Sequence, residues 1–187
     1  MIGGVMLPAL GAARRNVVRM ENTTRIRGIQ QAMLQYAQGN NQKFPGLGKD
    51  NDLTVEGRFQ MLLDGNYLTP EDLISPAEPA TAAPFNHSFR LLKIANEGGR
   101  RAAWGSTANW ESPVVSDRNT GPSAGANARS IHSTRYWRGS VAYNDGHTNF
   151  LGSNIIGSTR YGDVQNIDDD LFATTGTDDV MMIHEGQ

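Results

Sequence analysis

Residues 14–44 read RRNVVRMENTTRIRGIQQAMLQYAQGNNQKF, and this stretch predicts the long helix that decides the fold. Its apolar side chains recur at spacings of three, four and three, which is typical of one helix face: Ile26, Ile29, Met33 and Tyr36. Gly39 and the two asparagines after it favour a left-handed cap that ends the helix. A helix over 8–38 would extend about 45 Å, at about 1.5 Å per residue. Only its second half carries a stripe suited to packing on the rest of the chain.

Residues 1–13, MIGGVMLPALGAA, carry no charged side chain and predict an apolar first half of the same helix. The segment is shorter than the roughly 20 apolar residues that span a bilayer. Arg14, Arg15 and Arg19 follow it, as basic residues do where a membrane helix meets lipid headgroups. Pro8 lacks a backbone donor and should kink or locally melt the helix. We assign the following side chains to a surface that packs in a filament core or in lipid: Val5, Leu7, Pro8, Leu10, Val17 and Val18.

The composition excludes several kinds of functional site and indicates the fold class. The chain has 187 residues, a formal net charge of −2 and no cysteine. Disulfides, thiolate zinc sites and cysteine nucleophiles are therefore excluded, and the charge gives no electrostatic reason to bind nucleic acid. With 21 Gly and 8 Pro, the chain should be rich in turns and short strands. We expect an α+β protein with a helical spine over 1–42 packed on an antiparallel sheet head over 43–187.

Local patterns place the elements of the head. A second helix is predicted over 54–64, with a short helical turn begun by Thr69 and Pro70. Period-two or short apolar runs predict strands over the following ranges: 88–95, 101–105, 113–117, 137–143 and 148–151. The last two flank Asn144, Asp145, Gly146 and His147, a sequence typical of a tight hairpin turn. Residues 119–130 should form a surface loop.

Three segments, taken in order, resemble one family. Residues 5–15 read VMLPALGAARR, residues 59–68 read FQMLLDGNYL, and residues 140–151 read SVAYNDGHTNFL. They are similar to the apolar helix end, the helix ending in G-Y-L and the V-x-F-x-D-G-H-V-x-F hairpin of bacterial type IV pilin-like proteins. More specifically, they resemble the group with a prepilin-type N-terminus and an H-X9-DG C-terminal domain. The motif residues would be His132, Asp145 and Gly146.

The resemblance implies a structural subunit of a type IV pilus-like or type II secretion pseudopilus-like filament, and not an enzyme. Its partners would be copies of itself or other pilin-like subunits, with no nucleic acid. It would sit in the inner membrane before assembly and then in a periplasmic or extracellular filament. In such proteins a melted stretch like the one expected at Pro8 is associated with assembly.

The sequence departs from the family pattern in two places. Twelve residues separate His132 from Asp145, where the family has nine. The processing site, the methylatable phenylalanine and the acidic residue after it are also missing. We therefore expect an N-terminally truncated form, either shortened deliberately or recorded from an internal start codon.

Candidate catalytic residues are better explained structurally. Residues 121–125 match the G-x-S-x-G nucleophile pattern, but they lie in a predicted loop without the required strand and helix. Asp145 fits a turn position, where its carboxylate accepts backbone donors, and His147 should be solvated. Asp117 could form a structural hydrogen bond with His132. No constellation indicates catalysis or a required cofactor.

Two ligand hypotheses remain open. Some pseudopilins hold calcium in a C-terminal loop, and oxygen ligands are spaced along one segment here: Asp163, Asn166, Asp168 and Asp170. The alternative for these residues is a solvated acidic loop. A different function, an extracellular module that binds carbohydrate or a surface polymer, would use aromatic side chains that stack on sugars: Trp104, Trp110, Tyr136 and Trp137.

Overall fold

The computed structural model describes residues 6–47, 53–78, 87–94, 98–161, 164–173 and 182–183. The helices are α1 (Met6–Gly39), α2 (Val55–Asp64) and α3 (Gly98–Ala103), with short 3-10 turns at Pro70–Leu73 and Gly125–Asn127. The strands are β1 (Phe89–Leu92), β2 (Pro113–Asp117), β3 (Gly139–Tyr143), β4 (Thr148–Leu151), β5 (Ile155–Tyr161), β6 (Val164–Asp170) and β7 (Met182–Ile183). The predicted α+β fold, a long N-terminal helix with an antiparallel sheet, is confirmed.

The second half of α1 packs on the sheet through the predicted stripe. Ile26, Ile29 and Met33 are 0% exposed, and Tyr36 is half-buried. The Tyr36 ring meets Tyr67 edge-on, with 5.9 Å between ring centroids. The helix contacts β2, β3 and β4, so one face of the sheet is covered by it. The stripe therefore supplies much of the apolar core.

The helix ends where the sequence predicts. Asn41 and Gln42 have positive φ values of 53° and 63°, and the Gln42 N–H donates to the Ala37 carbonyl at 2.9 Å. This satisfies a carbonyl of the last turn and turns the chain back towards the head. At the other end, Pro8 lies in the first turn of the described helix. The described backbone is helical from Met6 onward, so the local melting predicted at Pro8 is not seen.

The main sheet has five antiparallel strands in the order β4-β3-β2-β1-β7. β2 and β4 have the bounds predicted from sequence, and β1 and β3 are shorter than predicted. β2 and β3 are buried at every residue, as central strands covered on both faces are. Gly146 in the β3–β4 turn has a φ of 89°, which explains the glycine at that position.

The predicted strand over 101–105 is wrong. Residues Gly98–Ala103 form α3, because the Arg-Arg-Ala-Ala run has high helix propensity and no β-branched residue. Trp104 follows it and is 1% exposed, with its indole N–H donating to the Pro45 carbonyl at 2.8 Å. Only Gly105 keeps a strand-like partner, in an isolated bridge to Lys43.

The sequence also failed to predict a second sheet, in which β5 and β6 pair antiparallel. β6 contains VQNIDDD, which has low intrinsic strand propensity. Its polar residues find partners across the hairpin, since the Thr159 hydroxyl donates to the buried Asp169 carboxylate at 2.8 Å. The Tyr161 hydroxyl donates to the Pro113 carbonyl at 2.7 Å and joins the hairpin to β2. The acidic segment predicted as a loop is thus a strand.

The second helix begins one residue later than predicted, and the 3-10 turn begins at its predicted cap, Thr69. Thr54 precedes α2 with an extended backbone, and its hydroxyl accepts the Gly57 N–H at 3.0 Å. Before the 3-10 turn, the Asp72 carboxylate accepts both the N–H and the hydroxyl of Thr69. Such caps replace hydrogen bonds that the first turn of a helix cannot make internally.

His87 joins α2 to the start of β1. Its ring lies 5.0 Å from the Phe59 ring, its Nδ1 is 2.9 Å from the Phe89 carbonyl, and its Nε2 is 3.7 Å from a Glu56 carboxylate oxygen. Burial lowers the pKa of His87 below its usual 6.5, although the Phe89 carbonyl and Glu56 oppose this shift. The folded state therefore favours the neutral imidazole.

Replacing Ile29 by Ala should lower the free energy of unfolding by about 2–5 kcal/mol, because it opens a cavity between α1 and the sheet. Urea denaturation measures this loss. Gln31→Ala, on the exposed side of the same helix, should change stability by less than about 0.5 kcal/mol. Equal effects of the two substitutions would contradict the packing of α1 on the sheet.

Acidification from pH 7 to pH 5 should destabilise the protein in part through His87. Its pKa is lower in the folded than in the unfolded state, so the stability it contributes is present above the unfolded pKa. That contribution is lost as the pH falls through the folded pKa. Urea unfolding at several pH values should show a shallower dependence in His87→Gln than in the parent chain. An equal dependence in the two proteins would contradict this assignment.

Candidate functional site

The first half of α1 carries an outer apolar face made of Leu10, Val17 and Met20. Their exposed fractions are 64%, 62% and 70%, which are high values for large apolar side chains. Leu10 and Val17 are seven residues apart and Met20 follows three later, so the three side chains share one side of the helix.

The same side of α1 becomes polar beyond Met20. Continuing from Val17 in steps of seven leads to Thr24, Gln31 and Gln38, which are all exposed. The outer surface of the helix therefore changes from apolar to polar at the point where its opposite side begins to pack on the sheet. This change locates a candidate interaction surface in the first half only.

The structure describes the other predicted members of this surface only in part. Val18 is half-buried, and the backbones of Leu7 and Pro8 are helical. Val5 and the side chains of Leu7 and Pro8 lie outside the described residues. Among the helices that the structure describes, none combines the length and the apolar composition needed to cross a membrane.

A buried polar cluster, here called the polar node, fixes α1 to the head. It consists of Asn22, Ser75, Asp117 and Ser140, of which none is more than 2% exposed. The Asn22 amide donates to both carboxylate oxygens of Asp117, at 2.9 and 3.0 Å, and its carbonyl oxygen accepts the Ser75 hydroxyl. The Ser140 N–H donates to Asp117 at 2.6 Å. Three segments of the chain therefore meet at one carboxylate, and Ser75 joins a fourth segment to it through Asn22.

Gly139 makes room for this node. A Cβ atom at that position would lie 2.7 Å from Asp117 Oδ2 and 2.9 Å from the Trp137 ring, which is closer than van der Waals contact allows. Only glycine lets β3 approach the carboxylate this closely.

Sequence reasoning paired Asp117 with His132 and missed the rest of the node. His132 Nε2 does lie 3.2 Å from Asp117 Oδ2, but the ring is not oriented for a hydrogen bond between these atoms. The predicted partners are adjacent, in a close contact instead of the expected hydrogen bond. Asn22 could have been identified from the sequence, because it lies four residues before Ile26 and is therefore a polar residue on the same helix face as the apolar stripe.

The family-motif residues do not form one site. The His132 ring packs edge-on against the Phe150 ring, with 5.2 Å between ring centroids. Phe150 pairs with Ser140, at the end of the β3–β4 hairpin opposite the turn. Asp145 lies in the turn, and its carboxylate accepts the His147 N–H at 3.0 Å and faces the His147 ring at 2.5 Å. The backbone role predicted for Asp145 is confirmed. His147 is half-buried, because its ring stacks on Tyr143 at 4.2 Å.

The Asp145-Gly146 turn also rests on α1, which the sequence did not predict. The Gln30 amide, 0% exposed, donates to the Asn144 carbonyl at 3.2 Å. Asn144 in turn donates to the Ala108 carbonyl at 2.7 Å. The turn therefore holds the helix at a second point, far along β3 from the polar node.

A basic cleft lies between the first half of α1 and the head, with a volume of about 540 Å³. Arg14, Arg15 and Arg19 line it from the helix, and His132 and Arg138 line it from the head. The sequence grouped the three helix arginines but gave no sign of Arg138, which is distant in the chain.

Only some of the candidate calcium ligands lie among the described residues. Asp168 is exposed in β6, while Asp170 accepts the Asn154 amide at 2.8 Å and the Gly125 N–H at 2.6 Å. Asp163 and the side chain of Asn166 lie outside the described residues. The described part of the chain contains no group of three or more acidic or histidine side chains arranged to hold a metal ion. Calcium binding stays a prediction.

The aromatic residues of the carbohydrate hypothesis separate into two pairs. Trp104 and Trp137 are 1% exposed and belong to the core, whereas Trp110 and Tyr136 are 62% and 50% exposed. The G-x-S-x-G segment lies in an irregular loop with a 3-10 turn at Gly125–Asn127. The loop predicted for this segment is thus confirmed.

Replacing Asp117 by Ala should lower the free energy of unfolding by at least about 2 kcal/mol. The substitution leaves the Ser140 N–H buried without its acceptor and the Asn22 amide with only a 3.3 Å bond to the Ser140 hydroxyl, and an unsatisfied buried donor costs about 1–3 kcal/mol. Urea denaturation gives the difference. Asp64→Ala, which removes an exposed carboxylate, should change it by less than about 0.5 kcal/mol. A mild effect at Asp117 would contradict the node.

Comparison with known proteins adds no relative: no family model matches the chain, and no curated protein or solved structure is significantly similar to it. The resemblance to pilin-like proteins therefore stays a prediction carried by the three quoted segments.

Proposed function

We propose that this chain is a structural subunit of a type IV pilus-like or type II secretion pseudopilus-like filament. The observation that carries the proposal is the outer apolar face of Leu10, Val17 and Met20 on a helix whose other half is fixed to the head. Within the described chain these side chains remain largely exposed to water. Burying each against a neighbouring helix would contribute about 1.5–3 kcal/mol.

The architecture suits this role. A filament built from a helical core needs a helix that extends beyond its own head and presents an apolar side to its neighbours. The polar node and the Gln30 contact hold the second half of α1 on the sheet at two separated points. The first half can then meet neighbouring copies while the head stays in a fixed orientation.

Membrane insertion before assembly belongs to the same proposal. Arg14 and Arg15 are exposed on the turns between Leu10 and Val17. Basic residues beside apolar ones suit the boundary between hydrocarbon and headgroups. The inner membrane is therefore the proposed location before assembly, and a periplasmic or extracellular filament the location after it. We propose no catalytic role.

A cysteine scan should detect the helix contacts between copies. The 187 residues contain no cysteine, so cross-links between them can form only at an introduced position. In cells that express the protein, Met20→Cys should give disulfide-linked dimers after mild oxidation, because the outer apolar faces of neighbouring copies meet in the filament. Non-reducing electrophoresis measures the dimer fraction.

Gln31→Cys is the matched control, since Gln31 is exposed on the polar part of the same helix. It should give several-fold less dimer than Met20→Cys. Electron microscopy should show fibres that are lost in Val17→Asp and kept in Gln31→Asp, with equal melting temperatures for the two variant chains. Equal cross-linking at positions 20 and 31, or fibres that persist in Val17→Asp, would overturn the proposal.

One observation favours the second candidate, a module that binds carbohydrate or a surface polymer. Tyr136, half exposed, lines a cavity of about 370 Å³ together with Ile155 and Asn154. An exposed aromatic ring at the edge of a cavity suits stacking on a sugar. Retention of glycans by the monomeric chain on an array, with loss in Tyr136→Ala, would support this function instead.

A further inference from the structure

The basic cleft between α1 and the head has the charge and size of a ligand site. Its volume of about 540 Å³ lies within the range of about 300–1,000 Å³ that is typical of small-molecule pockets. Four guanidinium groups line it, from Arg14, Arg15, Arg19 and Arg138, and no acidic side chain is among its lining residues. In the part of the chain that the structure describes, none of the four makes an ion pair.

Two of the four guanidinium groups are held in place by the protein. Arg138 donates from Nε and Nη2 to the His132 carbonyl, at 3.2 and 3.0 Å. Arg19 lies over the Phe150 ring, with 4.5 Å from its guanidinium carbon to the ring centroid. Arg14 and Arg15 are exposed and extend from the next turns of the helix. Three arginines of α1 thus face Arg138 of the head across the cleft.

The buried carboxylate that contacts His132 does not neutralise this group. Asp117 lies 3.2 Å from His132 Nε2 behind the cleft wall and is 0% exposed. Its two oxygens already accept hydrogen bonds from Asn22 and the Ser140 N–H. One buried carboxylate against four arginines leaves an excess of positive charge that faces the cleft.

We propose that this cleft binds a phosphate group, as the monoester or diester of a larger molecule. Guanidinium groups donate two parallel hydrogen bonds to phosphate oxygens, and several of them together suit a multiply charged anion better than a single carboxylate. The volume leaves room for the organic part that carries the phosphate. The source is a lipid headgroup or a soluble phosphate ester, and both share this chemistry. The proposal does not depend on filament formation.

Titration of the 187-residue chain with inorganic phosphate at low ionic strength tests the site. Calorimetry should show saturable binding, and phosphate should raise the melting temperature more than chloride of equal ionic strength. The double variant Arg14→Gln/Arg15→Gln should bind at least about tenfold more weakly, since a charged hydrogen bond is worth about 1.5–3 kcal/mol and 1.4 kcal/mol is tenfold. These two side chains make no described contact with the core, so its melting temperature without phosphate should match that of the parent.

Arg27→Gln is the control, because Arg27 is exposed on the same helix and does not line the cleft. It should bind phosphate as the parent does. Absence of saturable binding, or an equal loss in the double variant and in the control, would overturn the proposal. The second outcome would mean that only general electrostatic attraction acts.

Vesicles distinguish the two sources. Flotation with phosphatidylcholine vesicles, with and without phosphatidic acid as the anionic lipid, compares the parent with the double variant. Binding that the variant loses and that free phosphate competes away assigns the site to a lipid headgroup. Phosphate binding without vesicle binding assigns it to a soluble phosphate ester.

Discussion

The contact between the Asn22 amide and the Asp117 carboxylate is the constraint on which the rest of the structure depends. It joins residues 95 positions apart in the chain and lies where α1 leaves the sheet. A carboxylate that is 0% exposed is stable only when its oxygens are satisfied, so Asp117 requires donors from both α1 and β3. The position of the helix, the close approach at Gly139 and the wall of the basic cleft all follow from this requirement.

The two halves of α1 therefore serve different purposes on one continuous element. The second half is a core helix, with Ile29 and Met33 fully buried against the sheet. The first half has a side towards the head that carries cations and an outer side that carries Val17 and Met20. Filament packing would use the outer side and phosphate binding the inner side. Both could occur in one molecule without competing for the same residues.

The sequence predicted those parts of the fold that depend on local pattern. Periodicity identified the buried stripe of α1, and turn chemistry identified the hairpin around Gly146. Prediction from the sequence failed where the structure of a segment depends on a partner that is distant in the chain. β6 is a strand because Thr159 and neighbouring donors satisfy its aspartates, and no local propensity reveals them. Only part of the cleft could be predicted for the same reason, since its arginines on α1 lie within six residues of one another, whereas Arg138 reaches the cleft only through the fold.

The place of the polar node has a mechanical consequence. A pulling force applied to the first half of α1 and resisted by the head acts on Asn22 before any other fully buried residue of the helix that the structure describes. The Asn22–Asp117 hydrogen bonds lie in a water-excluded site, where breaking them exposes a buried charge before the buried contacts of Ile26 and Ile29 are lost. The junction would thus resist tension until the Asn22–Asp117 hydrogen bonds break. Only then would the force act on the apolar interface that follows Asn22 along the helix.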